Sequence, residues 1–230
     1  MNSPSTSWIT PLALVYILLA NIALAWGSRP IAATAICLLA VLVVLAIRGP
    51  RAPAWRTLVA AAGIWLAQGV VRGSLPPLPL LLPPVVIPAA LAWMFGHTLG
   101  GNRVALVERF ARAVHAPDPI DDCHAAYARG VTVMWTVFLI AMALGNLLLV
   151  MSLVPGGLLD LLRLQAPWTL DRSTFLWLSN AAYLLIVAVF VAEFLFRLWR
   201  FPSYRLRNPV EFMRRARERL PAVIEALRRE

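Results

Sequence analysis

The densest group of side chains able to do chemistry is His115-Ala-Pro-Asp118-Pro-Ile-Asp121-Asp122-Cys123-His124, with His97 some way upstream. Imidazoles beside carboxylates can bind a metal or act as general acid and base. The spacing matches no strong metal pattern: there is neither HExxH nor a paired CxxC, and no metal site is expected. Asp121 falls six residues after His115, which does not fit a His-x4-Asp acyltransferase pair. A solvated acidic turn accounts for the same residues. If the chain is an enzyme, His97, His115, Asp118 and Asp121 are the candidate catalytic residues of a membrane acyl or glycosyl-type transferase. Gly96-His-Thr-Leu-Gly-Gly101 is glycine-rich, but it follows an apolar run rather than a strand and reads poorly as a phosphate loop. There is no Gly-x-Ser-x-Gly elbow, and no cofactor is implied.

A second set of polar groups sits inside apolar stretches. Glu193 precedes Arg197 by four residues, a spacing that puts the two on one helix face. An intramembrane carboxylate is otherwise a functional-site hypothesis. Asn21, Gln68, Asn146 and Asn180 are amides of the kind that tie helices together.

The elements that carry these residues are apolar helices. The chain has 230 residues, 60% hydrophobic, with a mean hydropathy of +0.75. About six stretches approach bilayer length. They are 8–26, 31–47, 54–71, 75–95, 130–154 and 174–196. The predicted fold class is all-α: a polytopic integral membrane protein with about six transmembrane helices. Residues 1–200 form the helical domain, with an amphipathic cytoplasmic loop over 96–129, and residues 201–230 an Arg-rich amphipathic tail.

The fourth stretch is abnormal, with six prolines between Pro76 and Pro88. Proline removes a backbone donor and clashes with the preceding turn. Its first half is expected not to be regular helix, leaving a helix from Pro84 to Phe95. Non-helical backbone at membrane depth must be buried in protein or line a wet cavity. In the long loop, Asn102 is a candidate cap for a surface helix whose Val104, Val107, Phe110, Ala111 and Val114 recur at helical spacing, with Arg103, Arg109 and Arg112 outside the stripe.

All 21 basic residues are Arg. With six spans, 17 fall on one side and four (Arg29, Arg72, Arg163 and Arg172) on the other. The positive-inside rule then puts both termini in the cytoplasm. If the fourth stretch re-enters, five spans give 16 to 5. The net charge of +10 would suggest nucleic acid in a soluble protein, but anionic headgroups explain the tail's arginines, and no nucleic-acid motif is present. Cys37 and Cys123 are expected to be far apart and reduced.

Three segments resemble a known family. They are Ala92-Trp-Met-Phe-Gly-His-Thr-Leu with Val107-Glu-Arg-Phe-Ala-Arg; Ala126-Ala-Tyr-Ala-Arg-Gly-Val-Thr-Val-Met-Trp-Thr-Val-Phe; and Phe194-Leu-Phe-Arg-Leu-Trp-Arg-Phe-Pro-Ser-Tyr-Arg. Together they resemble bacterial inner-membrane proteins associated with aryl polyene and xanthomonadin-type pigment biosynthesis. The resemblance implies a multi-pass component of a lipid-linked polyene pathway. Membrane lipids, acyl carrier protein and other pathway proteins would be its partners. The carrier is acidic, so a basic cytoplasmic face suits it. Arg109, Arg112, Arg129, Arg197, Arg200, Arg205 and Arg207 are the candidate binding residues for an anionic ligand or carrier. In that family the position of His97 more often carries Arg, which argues against an indispensable histidine there. No catalytic residue is carried over. A small transporter, with its site at the broken fourth span, is a further alternative; the lack of an internal repeat weighs against it.

Overall fold

The structure, a computed structural model, describes residues 9–46, 52–101, 103–115 and 121–201. Among the described residues there are helices and no strand. They are α1 Ile9–Trp26, α2 Arg29–Ala46, α3 Ala52–Arg72, α4 Leu78–Leu81, α5 Pro83–Gly96, a 3-10 turn His97–Leu99, α6 Leu106–His115, α7 Asp122–Ser152, α8 Leu158–Leu161 and α9 Arg172–Arg200. Three of them, α3, α7 and α9, are long and apolar enough to cross a membrane. The apolar parts of α1, α2 and α5 are shorter. The many large apolar side chains left exposed, such as Trp26, Leu184 and Trp177, fit a membrane protein's lipid-facing surface. The described residues divide into two compact units: one within Met1–Val85 and Asn146–Asn180, the other within Val86–Gly145 and Ala181–Glu230.

In the first unit α2 packs against α1 and α3 through small residues. Ala20 and Ala23 of α1, Ala32, Ala33 and Ala35 of α2 and Ala67 of α3 are all buried. Small side chains let helix backbones approach closely, which drives association where lipid removes the hydrophobic incentive. Gly63 shows how close: a Cβ built on it would lie 2.5 Å from the Ala40 Cβ. Asn180 on α9 donates to the Asn21 side chain on α1 at 3.0 Å, the interhelical role expected of such amides. A second cluster joins Leu81, Val150, Leu153 and Phe175.

The proline-rich stretch is more helical than its composition suggests. A one-turn helix occupies Leu78–Leu81, where no regular helix was expected, and α5 starts at Pro83. The reason is placement. Pro79, Pro83 and Pro84 fall in first turns, where the missing N–H would have no intrahelical acceptor anyway. Only Pro88 lies inside a helix. Before α4 the chain turns at Gly73 (φ +75°), and the Gly69 carbonyl accepts from the N–H groups of Ser74 and Leu75 at 3.0 and 3.1 Å.

The segment read as a loop over 96–129 is largely helical. α7 starts at Asp122, not Gly130, and runs 31 residues, about 46 Å at the standard rise. That exceeds the roughly 30 Å hydrocarbon core. Similarly α9 continues to Arg200, past the expected span end at 196, so Arg197 and Arg200 are helical residues. Between α7 and α9 the chain is cinched. Val154 N–H donates to the Leu170 carbonyl at 2.9 Å, and Leu170 N–H to that of Ser152 at 2.8 Å.

In the second unit α6 is set by two buried hydroxyls rather than by its own sequence. Leu106 N–H donates to Thr98 Oγ1 at 3.1 Å, and Val107 N–H to Thr132 Oγ1 at 3.2 Å. Both threonines are 0% exposed. The helix therefore begins at Leu106, later than a cap at Asn102 would place it; Asn102 itself lies outside the described residues. Each threonine also donates to a carbonyl earlier in the chain, Thr98 to Phe95 of α5 and Thr132 to Ala128 of its own helix. Replacing Thr132 by Val removes the acceptor of the part-buried Val107 N–H and should destabilise by about 1–3 kcal/mol. Thr132→Ser should recover most of the loss. Thermal unfolding of the detergent-purified chain measures both; equal melting of the Val variant and wild type would refute the role.

Candidate functional site

Three polar residues of the second unit meet where α7 faces α9. Tyr127 on α7 donates its hydroxyl to Glu193 Oε1 on α9 at 3.1 Å. The other carboxylate oxygen of Glu193 lies 3.5 Å from Arg197 Nη2. Both ends of this ion pair are mostly buried, at 9% and 13% side-chain exposure. The i,i+4 spacing that suggested the pair thus produces it. Around it is an aromatic cluster. Phe201 is buried and packs edge-on to Tyr127, with centroids 5.2 Å apart, and against the His124 ring at 4.2 Å. Phe196 stacks on Tyr127 at 6.1 Å.

Beside these groups an apolar groove of about 560 Å³ opens between the two helices. Val131, Met134, Val189 and Ala192 line it, and Tyr127 and Glu193 form its polar end. Gly130 contributes no side chain and leaves the groove open along α7. Its volume lies within the usual range for small-molecule sites, and an apolar slot with a few convergent polar groups is their usual character.

Of the candidate catalytic residues, His97 and Asp121 are engaged separately. His97 opens the 3-10 turn after α5, and its Nδ1 lies 3.1 Å from the Trp93 carbonyl. His115 ends α6. Asp118 lies outside the described residues. Asp121 is a cap for α7: it accepts the backbone N–H of His124 at 2.7 Å and pairs with His124 Nδ1 at 2.5 Å. His97 and Asp121 share no hydrogen bond or ion pair, and among the described residues no group of His, Cys, Asp and Glu could hold a metal. The acidic turn is, for Asp121, a helix start.

The arginines divide by what holds them. Arg129 donates to the Leu99 carbonyl at 2.9 Å, and Arg103 to the His97 carbonyl at 3.3 Å, so both bind the turn ahead of α6. Arg109 reaches the Val104 carbonyl through Nε at 2.8 Å. Arg112 pairs with Glu108 at 2.6 Å, and its side chain is 55% exposed. Arg200 lies over the Phe201 ring at 5.5 Å. Arg205 and Arg207 lie outside the described residues. In the first unit Gln68 lines a shallow pocket with Cys37, which is a free thiol, as is Cys123. Cys123 lies on the first turn of α7 rather than in a loop.

Comparison with family models, curated proteins and solved structures gives no match. The site therefore stands on its own geometry. Tyr127 and Phe201 were not singled out from sequence. One signal was available: Tyr127 is a polar-tipped aromatic at the flank of an apolar helix, as Glu193 is an acid at the flank of another.

Two outcomes test these roles. Glu193→Ala removes the acceptor of the Tyr127 hydroxyl and the carboxylate paired with Arg197, and should lower stability by about 1–3 kcal/mol. Tyr127→Phe should cost less, because the ion pair remains; thermal unfolding ranks the two. For Asp121, the backbone N–H of His124 and then its ring hold the carboxyl below the ordinary value. Its stabilisation is therefore complete above the unfolded value of about 3.9 and lost as pH falls through the lower folded value. The melting difference between wild type and Asp121→Asn should be largest at pH 6 and close below that range; a constant difference would show that the charge is not the cause.

Proposed function

We propose that this protein is a non-enzymatic, multi-pass component of the bacterial inner membrane. It serves a lipid-linked aryl polyene or xanthomonadin-like pathway of synthesis or export, and binds lipid or acyl-carrier intermediates at its cytoplasmic face. Six spans with both termini cytoplasmic form its topology. The 17-to-4 arginine split supports a cytoplasmic C-terminus, as the 16-to-5 split of five spans also would. The helical run from Leu78 to Leu99, interrupted only at Leu82, supports a crossing fourth span.

The observation that carries the ligand class is the groove between α7 and α9. Its walls suit an extended apolar chain, and Tyr127 and Glu193 among its lining, the latter paired with Arg197, suit a polar terminus. The exposed Arg112, with Arg109 on the same helix, supports a basic surface for an anionic group or an acidic carrier. A transferase reading has less support, since His97 and Asp121 are engaged separately.

In a strain lacking the gene, the polyene absorbance of membrane extracts should vanish and return on complementation. Charge reversal at Arg109 and Arg112 together should abolish pigment without lowering membrane abundance. Met134→Trp, which fills the groove, should also reduce it. Pigment that persists without the gene would end the pathway assignment; pigment lost in Asp121→Ala membranes despite normal abundance would favour the enzyme.

A further inference from the structure

A second site lies in the first unit and shares no residue with the α7–α9 groove. A cleft of about 510 Å³ is enclosed by the α1–α2 turn, the α3–α4 turn and the start of α9. Two arginines line it, Arg29 at the first position of α2 and Arg172 at the first position of α9. In the proposed six-span topology these are two of the only four arginines outside the cytoplasm. Positive-inside anchoring does not explain cations on that side.

Their placement is specific. Each guanidinium rests against a glycine of another turn. A Cβ on Gly27 would lie 2.6 Å from Arg172 Nη1, and one on Gly73 would lie 2.6 Å from Arg29 Nη1. Both glycines have positive φ, so the turns and the arginine seats need the same residues. Among the described residues, neither arginine has a salt-bridge partner. The nearby acids are engaged: Asp171 accepts from Ser173 and Thr174, whose hydroxyls hold its carboxyl below the usual range, and Asp160 accepts from the Gly156 N–H. Ser28 lines the same cleft, and its hydroxyl makes no hydrogen bond among the described residues. The remaining wall is apolar, from Leu24, Val70, Pro76 and Pro77.

Two uncompensated guanidinium groups on one cleft repel each other, and an oxyanion between them removes that cost. The fork of Arg suits phosphate oxygens. We infer that this cleft binds a phosphate group, with Arg29 and Arg172 as its cationic walls. The group comes from a phospholipid headgroup, whose acyl chains the apolar wall would accept, or from free phosphate. The inference does not depend on the α7–α9 groove or on pigment synthesis.

The test uses the full chain purified in an uncharged detergent. Dioctanoyl phosphatidylglycerol should bind and raise the melting temperature, while dioctanoyl phosphatidylcholine, with its compensating cation, should bind more weakly. Arg29→Gln and Arg172→Gln should each weaken binding by about tenfold. Arginine modification by phenylglyoxal, read peptide by peptide on wild-type protein, keeps the test valid should either variant fail to fold. The anionic lipid should protect Arg29 and Arg172 but not Arg163. Competition by inorganic phosphate would assign the site to the free ion; protection without competition would assign it to the headgroup. Equal modification of all three arginines with and without both probes would overturn the inference.

Discussion

Every backbone N–H in apolar surroundings needs an acceptor, and this fold is organised by where helices cannot supply one. An unsatisfied group costs several kcal/mol in lipid. Helix starts are the points of need. At α6 the acceptors are the hydroxyls of Thr98 and Thr132, brought from two other segments. At α7 the acceptor is Asp121, and at α9 it is Asp171. The α3–α4 turn uses the Gly69 carbonyl. Each cap fixes an entry point, and with it the side chains that follow. Thr132 fixes the arginines of α6; Asp171 fixes the direction in which Arg172 leaves.

Much of the architecture was legible. Apolar length identified α1, α2, α3 and α9 to within a few residues at the ends described, because lipid demands continuous apolar runs. The start of α7 was not legible by that criterion. Its first eight residues hold Asp122, His124 and Arg129, and hydropathy ends where lipid ends, not where the helix does. Prolines misled in the opposite sense. Their number suggested irregular chain, whereas their positions allow helix turns. The hydroxyls that place α6 were beyond reach, since a threonine in an apolar run looks the same whether or not it caps a distant helix.

The site was legible only where its partners share a helix. Glu193 and Arg197 could be paired by spacing, but Tyr127, 66 residues from Glu193, could not. The histidine and aspartate cluster attracted attention by density along the chain, which is a poor guide to density in space. Asp121 bonds within its own turn, and His97 lies on a different segment. The arginines of greatest interest were likewise inconspicuous. Arg29 and Arg172 lie far apart in sequence, and a count by side of the membrane treats them as a remainder.

The paired bonds between residues 152–154 and Leu170 have a mechanical meaning. They close the connection between α7 and α9 at its base, so residues 155–169 form a side excursion off a short link. The span between the two helix ends is then independent of how much chain the excursion contains, and lengthening a closed loop adds little entropy. Added sequence at its tip, such as a protease target or an epitope, would hang from the knot without pulling on either helix. The molecule thus carries its own attachment point for reporting which side of the bilayer this end faces.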